Sequence, residues 1–315
     1  MTLGPFLYLG IGAALGFSAL VRRFIKTIDA ITTIVLIILL ITVGAKIGIN
    51  GDLMTSAGKI GLQCALICAM AVAGSVLFAF LLEKTFLPLD KLKIRLEMPD
   101  EGSIIDRPPE KAKVSPLVWL IPSSILVGIV LGYSLLPDSL SIYIDISLNI
   151  ALNCLFVCVG INMAYHREIF KYFKMLGYRI VFLSVAIITG SLSGGFLAAL
   201  ILNVKFQTSV LSSLGMGYYS LCGAWMTETM GIEAGAYGFL VNVIREFSTI
   251  LFMPLLARLN KSASIASAGA TAMDTMLVPI TKLLGHEVGL VSFITGVILT
   301  FVLPFLLPIT GLIFK

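Results

Sequence analysis

The sequence predicts an all-α polytopic membrane protein, with about eight transmembrane helices plus two re-entrant hairpins, built from inverted repeats. Three observations lead there. First, the 315 residues have a mean hydropathy of +1.03, with 58% hydrophobic and only 12% charged residues. A soluble chain with that balance lacks the polar groups to cover its own surface. Second, the apolar residues fall in nearly charge-free runs of about 20, the length that crosses a ~30 Å hydrocarbon core. The runs do not alternate in polarity, which excludes a transmembrane β-barrel. Third, the chain resembles itself at two fixed offsets.

The first run, 5–21, lies in "MTLGPFLYLGIGAALGFSAL". No basic residue precedes it, so it lacks the charged start of a signal peptide and reads as a span. Further spans follow at 29–49, 58–83, 117–136, 141–164 and 177–203. Segments 206–231 and 262–284 are different: each is rich in Gly, Ser, Ala and Thr and contains a carboxylate. Each precedes a clean span, 233–257 and 287–314.

Basic residues set the orientation. With the N-terminus outside and both odd segments re-entrant, 16 of the 22 Lys and Arg residues lie inside and four outside, with Arg245 and Lys282 left in membrane segments. That bias matches the positive-inside rule and places the C-terminus outside as well. It also explains the net charge of +5 without nucleic acid. Cys64, Cys68, Cys154, Cys158 and Cys222 sit in apolar runs. His166 and His286 lie at segment ends, so the pattern offers no metal site and the cysteines read as small apolar fillers. No cofactor is expected.

An offset of 116 aligns "GAALGFS" at 12–18 with "GIVLGYS" at 128–134, and Gly74-Ser75 with Gly190-Ser191. Three spans per unit invert the second copy relative to the first, as in secondary transporters. An offset of 46 aligns "GAWMTETM" at 223–230 with "GATAMDTM" at 269–276, bringing Glu228 onto Asp274. The expected organisation is a three-span repeat (1–83), a cytoplasmic linker (84–116), an inverted three-span repeat (117–203) and a hairpin–helix–hairpin–helix core (204–315). This order resembles the layout of glutamate transporters, without the polar signature of their seventh span.

The run "VNVIREFSTIL", 241–251, puts Arg245 and Glu246 mid-span. A charge at a helix centre costs roughly 2.5–3.5 kcal/mol on insertion scales. Neighbours on a helix do not face each other; Asn242, Glu246 and Thr249 share one face, flanked by Arg245. That stripe must meet protein or a water-filled cavity. Glu228 and Asp274 lie among Gly223, Gly231 and Gly269, which let a helix break and present its backbone groups. The constellation suits a zwitterion with an added positive charge. Its carboxylate would meet N–H groups or Arg245, and its ammonium groups Glu246, Asp274 or Glu228. Tyr218, Tyr219 and Trp225 are further pocket candidates, each also suited to packing.

The blocks "GMGYYSLCGAWMTETMG", "FLVNVIREFSTILFMPLLAR" and "SAGATAMDTMLVP" resemble the C-terminal signature of the LysO-type lysine exporter family, over 213–280. The resemblance implies a prokaryotic inner-membrane antiporter that exports L-lysine and its analogue thialysine. It implies coupling to protons through membrane-embedded acids, here Glu246 and Asp274, with Glu228 in a matching block. The partners are then L-lysine, protons and the lipid bilayer, with a homodimer as a candidate assembly. Rival readings are carriage of another amino acid or of a sodium-coupled organic ion, an intramembrane hydrolase and a passive channel. Neither a second protease-type aspartate nor a Ser–His pair is present to serve a hydrolase.

Overall fold

The computed structural model describes residues 4–17, 19–49, 51–85, 116–134, 141–165 and 179–314. Nearly all of the expected linker 84–116 and the basic cluster 167–174 lie outside the described residues. The described residues are helical throughout, without strands. In hydrocarbon every backbone N–H and C=O must be paired within the segment, and only a helix does so for a single span.

Six helices come first: α1 (Gly4–Gly16), α2 (Ala19–Ile49), α3 (Gly51–Thr85), α4 (Pro116–Ser134), α5 (Ser141–Tyr165) and α6 (Arg179–Leu202). Each covers an expected span to within a few residues, except that α1 ends five short and α2 and α3 start ten and seven earlier. The remainder is α7 (Phe206–Leu214), α8 (Tyr219–Met230), α9 (Ile232–Leu259), α10 (Lys261–Ala268), a 3-10 turn (Gly269–Met273), α11 (Leu277–Leu284) and α12 (His286–Ile313). Four described helices are long and apolar enough to cross a bilayer: Gly58–Thr85, Ile180–Leu202, Ile232–Leu259 and Val288–Ile313. Large apolar side chains such as Leu62, Leu126, Leu200 and Leu251 point outward, where lipid rather than water suits them. The chain is a multi-pass membrane protein.

The first six helices pack reciprocally at the 116-residue offset. Gly12 of α1 lies against the Val157 carbonyl of α5, and Gly128 of α4 lies against the Ile41 carbonyl of α2. Gly16 meets Ile161 and Gly132 meets Ala45, again the same positions moved by 116. At the centre α3 crosses α6 antiparallel, with Gly74 and Gly190 against each other's carbonyls. There Ser75 and Ser191 hydrogen-bond each other at 2.9 Å. The sequence placed glycines where backbones touch, because van der Waals contact between small residues holds helices together in lipid. A leucine at Gly190 would drive its side chain into the α3 backbone. Gly190→Leu should lower the thermal midpoint in detergent through an overpacking cost of about 1–3 kcal/mol, read from the protein's thermal unfolding. An unchanged midpoint would show that the crossing is loose.

The second half repeats at 54 residues, which corrects the offset of 46. Helix α9, Ile232–Leu259, maps onto α12, His286–Ile313, end to end. Helix α7 maps onto α10 to within one residue at the start, and the ends of α8 and α11 coincide. Pro254 maps onto Pro308. The connections match too: Gly231 and Gly285 take φ of +91° and +94°, and Thr227 and Thr281 lie against Gly235 and Gly289. The similarity of "WMTETM" to "TAMDTM" is local, and it joins a position near the end of α8 to one past the break in the second unit.

Each broken segment begins and ends at one end of the bundle, the first at one end and the second at the other. Gln63 donates to the Leu202 carbonyl at the close of α6 and accepts from the Tyr237 hydroxyl near the start of α9. Gln207, at the start of α7, donates to the Gly311 carbonyl, and the Trp225 ring of α8 lies on Gly311 as well. At the opposite end, Glu83 of α3 accepts the Ser262 N–H and so caps α10. Residues 272–273 and Thr281 then descend beside α12 at Ser292, Gly296 and Gly289.

Candidate functional site

The tips of the two broken segments meet inside the protein. The Ala270 N–H donates to the Met216 carbonyl at 2.8 Å. The chain unwinds between α7 and α8, where Met216 and Gly217 take φ of +47° and +92°, and after α10, where Gly269 takes +63°. At Gly269 an added Cβ would strike the Met216 carbonyl, so both the space and the dihedral call for glycine.

Helix α9 holds both tips. Asn242 is fully buried, and its Nδ2 donates to the Ser212 and Gly238 carbonyls at 2.9 and 2.8 Å. Its Oδ1 accepts the Gly217 N–H at 2.7 Å. One turn on, Arg245 donates from Nε to the Ser267 carbonyl and from Nη2 to the Ala266 carbonyl, at 2.9 and 2.8 Å. Ser212 and Ala266 are equivalent at the 54-residue offset, so α9 caps the last turn of α7 with Asn242 and that of α10 with Arg245. The last carbonyls of a helix have no partner within it, which is why such donors are recruited. Thr249 completes the arrangement. Its Oγ1 donates to the Arg245 carbonyl at 2.8 Å and sits 2.7 Å from Ser267 Oγ.

The other side of this arrangement is acidic. Glu246, 4% exposed, faces the Thr275 hydroxyl and Asp274. Asp274 Oδ1 accepts the Thr275 N–H at 2.5 Å and lies 3.4 Å from Thr275 Oγ1. The Thr275 hydroxyl therefore stands between the two carboxylates. Asp274 is exposed, next to the half-buried Met273 and Thr275. Tyr219 neighbours both acids, and Tyr218 neighbours Asp274 on one side and Cys158 of α5 on the other. Tyr218 also packs with Val159 and Phe301, so it stands where the second half of the chain meets the first.

The structure thus brings Glu246 and Asp274 together, with Asn242 and Thr249 as the fasteners on either side. Arg245 turns toward α3, α6 and α10, away from the acids, which differs from its expected place opposite a solute carboxylate. Glu228 is not part of this cluster. It lies in the last turn of α8, beside the level of Gly235, about 16 Å of helix rise from Glu246. Gly231 ends α8, and Gly223 lets the Phe239 ring close against it. Trp225 packs at the bundle end. Thr275 was missed in the sequence, although its position immediately after Asp274 was the available signal.

Comparison with known proteins agrees with these blocks. The family described as lysine exporter LysO matches residues 6–93 and 123–310. The lysine exporter LysO of Escherichia coli K12 is 31% identical over 133 residues, covering 42% of this chain and 44% of that protein. The match therefore spans less than half the length of that relative. A putative lysine exporter of Haemophilus influenzae Rd is 29% identical over 185 residues, covering 59% of this chain and 93% of the relative. No solved structure matches. With the family match running through both the six-helix frame and the broken segments, the chain belongs to the lysine exporter LysO family.

Proposed function

We propose that the chain is a secondary transporter that exports L-lysine from the cytoplasm in exchange for protons, by alternating access. The observation that carries this reading is the pair Glu246 and Asp274, held around Thr275 beside the contact between two broken segments, with Asp274 exposed and Glu246 buried. Paired acids in a membrane interior are costly and are kept where they handle charge. The relatives' names supply the solute.

In this reading α1–α3 and α4–α6 are inverted repeats that form the frame. The segments 206–230 and 261–284 are re-entrant hairpins that enter from opposite faces, and with α9 and α12 they form the mobile core. The periplasmic face holds the ends of α6 and α12 and the start of α9; the cytoplasmic face holds the end of α9 with Arg258 and Lys261. Lysine's ammonium groups bind Glu246 and Asp274. Its carboxylate meets the N-terminal turn of α8 at Ser220 and Leu221, where a helix start directs N–H groups at an anion. Lysine and protons compete for the same two acids. From the cytoplasm lysine displaces protons; from the outside protons displace lysine.

The test is uptake of radiolabelled lysine into inside-out vesicles. Their lumen corresponds to the cell exterior, so an acidic lumen should accelerate uptake and collapse of the gradient should slow it. Absence of saturable lysine uptake would refute export, and uptake indifferent to the gradient would refute proton exchange.

A further inference from the structure

We propose that Arg245 is a positioning residue that fastens the tip of the second broken segment to α9 and, in this conformation of the carrier, to the six-helix frame, and never touches the transported solute. Four of its five N–H groups are already engaged. Besides Ala266 and Ser267 of α10, Nη1 donates to Ser191 Oγ of α6 at 2.8 Å and Nη2 to Ser75 Oγ of α3 at 3.3 Å. Those four bonds engage a guanidinium that carries five N–H groups. The side chain is 1% exposed, and all four acceptors are neutral.

A buried cation without a carboxylate beside it is expensive unless dipoles replace its hydration. Here the dipoles are specific. Ala266 and Ser267 lie in the last turn of α10, the negative end of that helix. Ser75 and Ser191 are the two serines that meet at the 116-residue offset, on the axis relating the two halves of the frame. One planar fork therefore joins α3, α6 and α10 to α9. Asp274 follows only six residues after Ala268, so the anchor determines where that carboxylate stands. The equivalent position in α12 is Leu299, which is fully buried, so no second anchor of this kind exists at the matching place. Arg245 and Glu246 point to different sides because consecutive helix residues are about 100° apart. The first fastens and the second works.

The transport arm of the test rests on the export reading; a second arm does not. Arg245→Lys keeps the charge but not the fork, and Ser75→Ala with Ser191→Ala removes the frame's acceptors while leaving the arginine. Lysine exchange and its inhibition by cadaverine, which lacks the carboxylate, are measured in proteoliposomes. Lysine exchange should fall about tenfold or more in Arg245→Lys and about three- to tenfold in the double serine variant. The preference for lysine over cadaverine should stay within about twofold of wild type. A tenfold relative gain for cadaverine in Arg245→Lys would show that the arginine holds the solute's carboxylate, and wild-type exchange by the double serine variant would show that the frame contact does nothing. Either result overturns the proposal. Amide hydrogen exchange over 262–275 is the second arm, and it should be faster in both variants because the tip opens more often. Unchanged protection there overturns the proposal even if the wild-type protein carries no lysine. Loss of lysine exchange in the wild type, with the expected change in protection, would fault the export reading alone.

Discussion

Glu246→Gln should abolish lysine-driven proton movement in proteoliposomes. The change preserves the shape of the side chain and its contact with the Thr275 hydroxyl. What it removes is the charge and the exchangeable proton. A hydrogen bond to a charged group contributes about 1.5–3 kcal/mol, so lysine affinity should fall by roughly ten- to a hundredfold and coupled proton movement should vanish altogether. Asp274→Asn should have the same effect on coupling. Its carboxylate is the exposed member of the pair, and on the proposed mechanism it is the one an incoming ion meets first. A pH-sensitive dye inside the vesicles reads the proton, and labelled lysine reads the solute. Either variant running at the wild-type rate would refute the assignment. Glu228→Gln is the contrasting substitution: Glu228 lies apart from the pair, in the last turn of α8, and coupling should persist.

Gly269→Val should be the most damaging substitution outside the acids. The position takes φ of +63°, which a β-branched residue adopts only as an outlier. An added Cβ would strike the Met216 carbonyl, the group that receives the Ala270 N–H where the two tips touch. Strain of this kind costs of order 1–3 kcal/mol before the collision is counted. The tips should separate, lysine exchange should fall by at least about tenfold, and the thermal midpoint should drop. Gly231→Val separates the two contributions. It takes φ of +91° but has nothing within 4 Å of an added Cβ. It should cost stability while leaving exchange measurable. Equal loss of exchange in both variants would show that the tip contact has no special role.

The frame was legible in the sequence because its glycines mark backbone contacts, and contacts that recur in space recur in the letters. Gly12, Gly16, Gly128 and Gly132 carry the 116-residue offset for that reason. The second repeat was harder to read. The run "TETMGIEAG" recurs as "TKLLGHEVG" at 54 residues, but only Thr, Gly, Glu and Gly are shared. Those residues make the turn into α9 and α12, and a turn tolerates anything between its fixed points. The more alike "GAWMTETM" and "GATAMDTM" gave a false register, since α8 is wound at Glu228 whereas the chain is open at Asp274. Helical spacing was enough to show that Arg245 and Glu246 would not pair. It did not show which way each would turn, because α9 is apolar on its remaining sides and meets protein on several of them. That direction was decided by Ser75 and Ser191, more than fifty residues away in sequence.

The contact between Ser75 and Ser191 has a kinetic consequence. A rotation that exchanges the two serines also exchanges α1 with α4 and α2 with α5, so on the proposed mechanism the frame resists tilting toward either face about equally. It acts as a balance rather than a ratchet. Net direction, as for any coupled exchanger, comes from the ion and solute gradients, and steeply reversed gradients should make the carrier import.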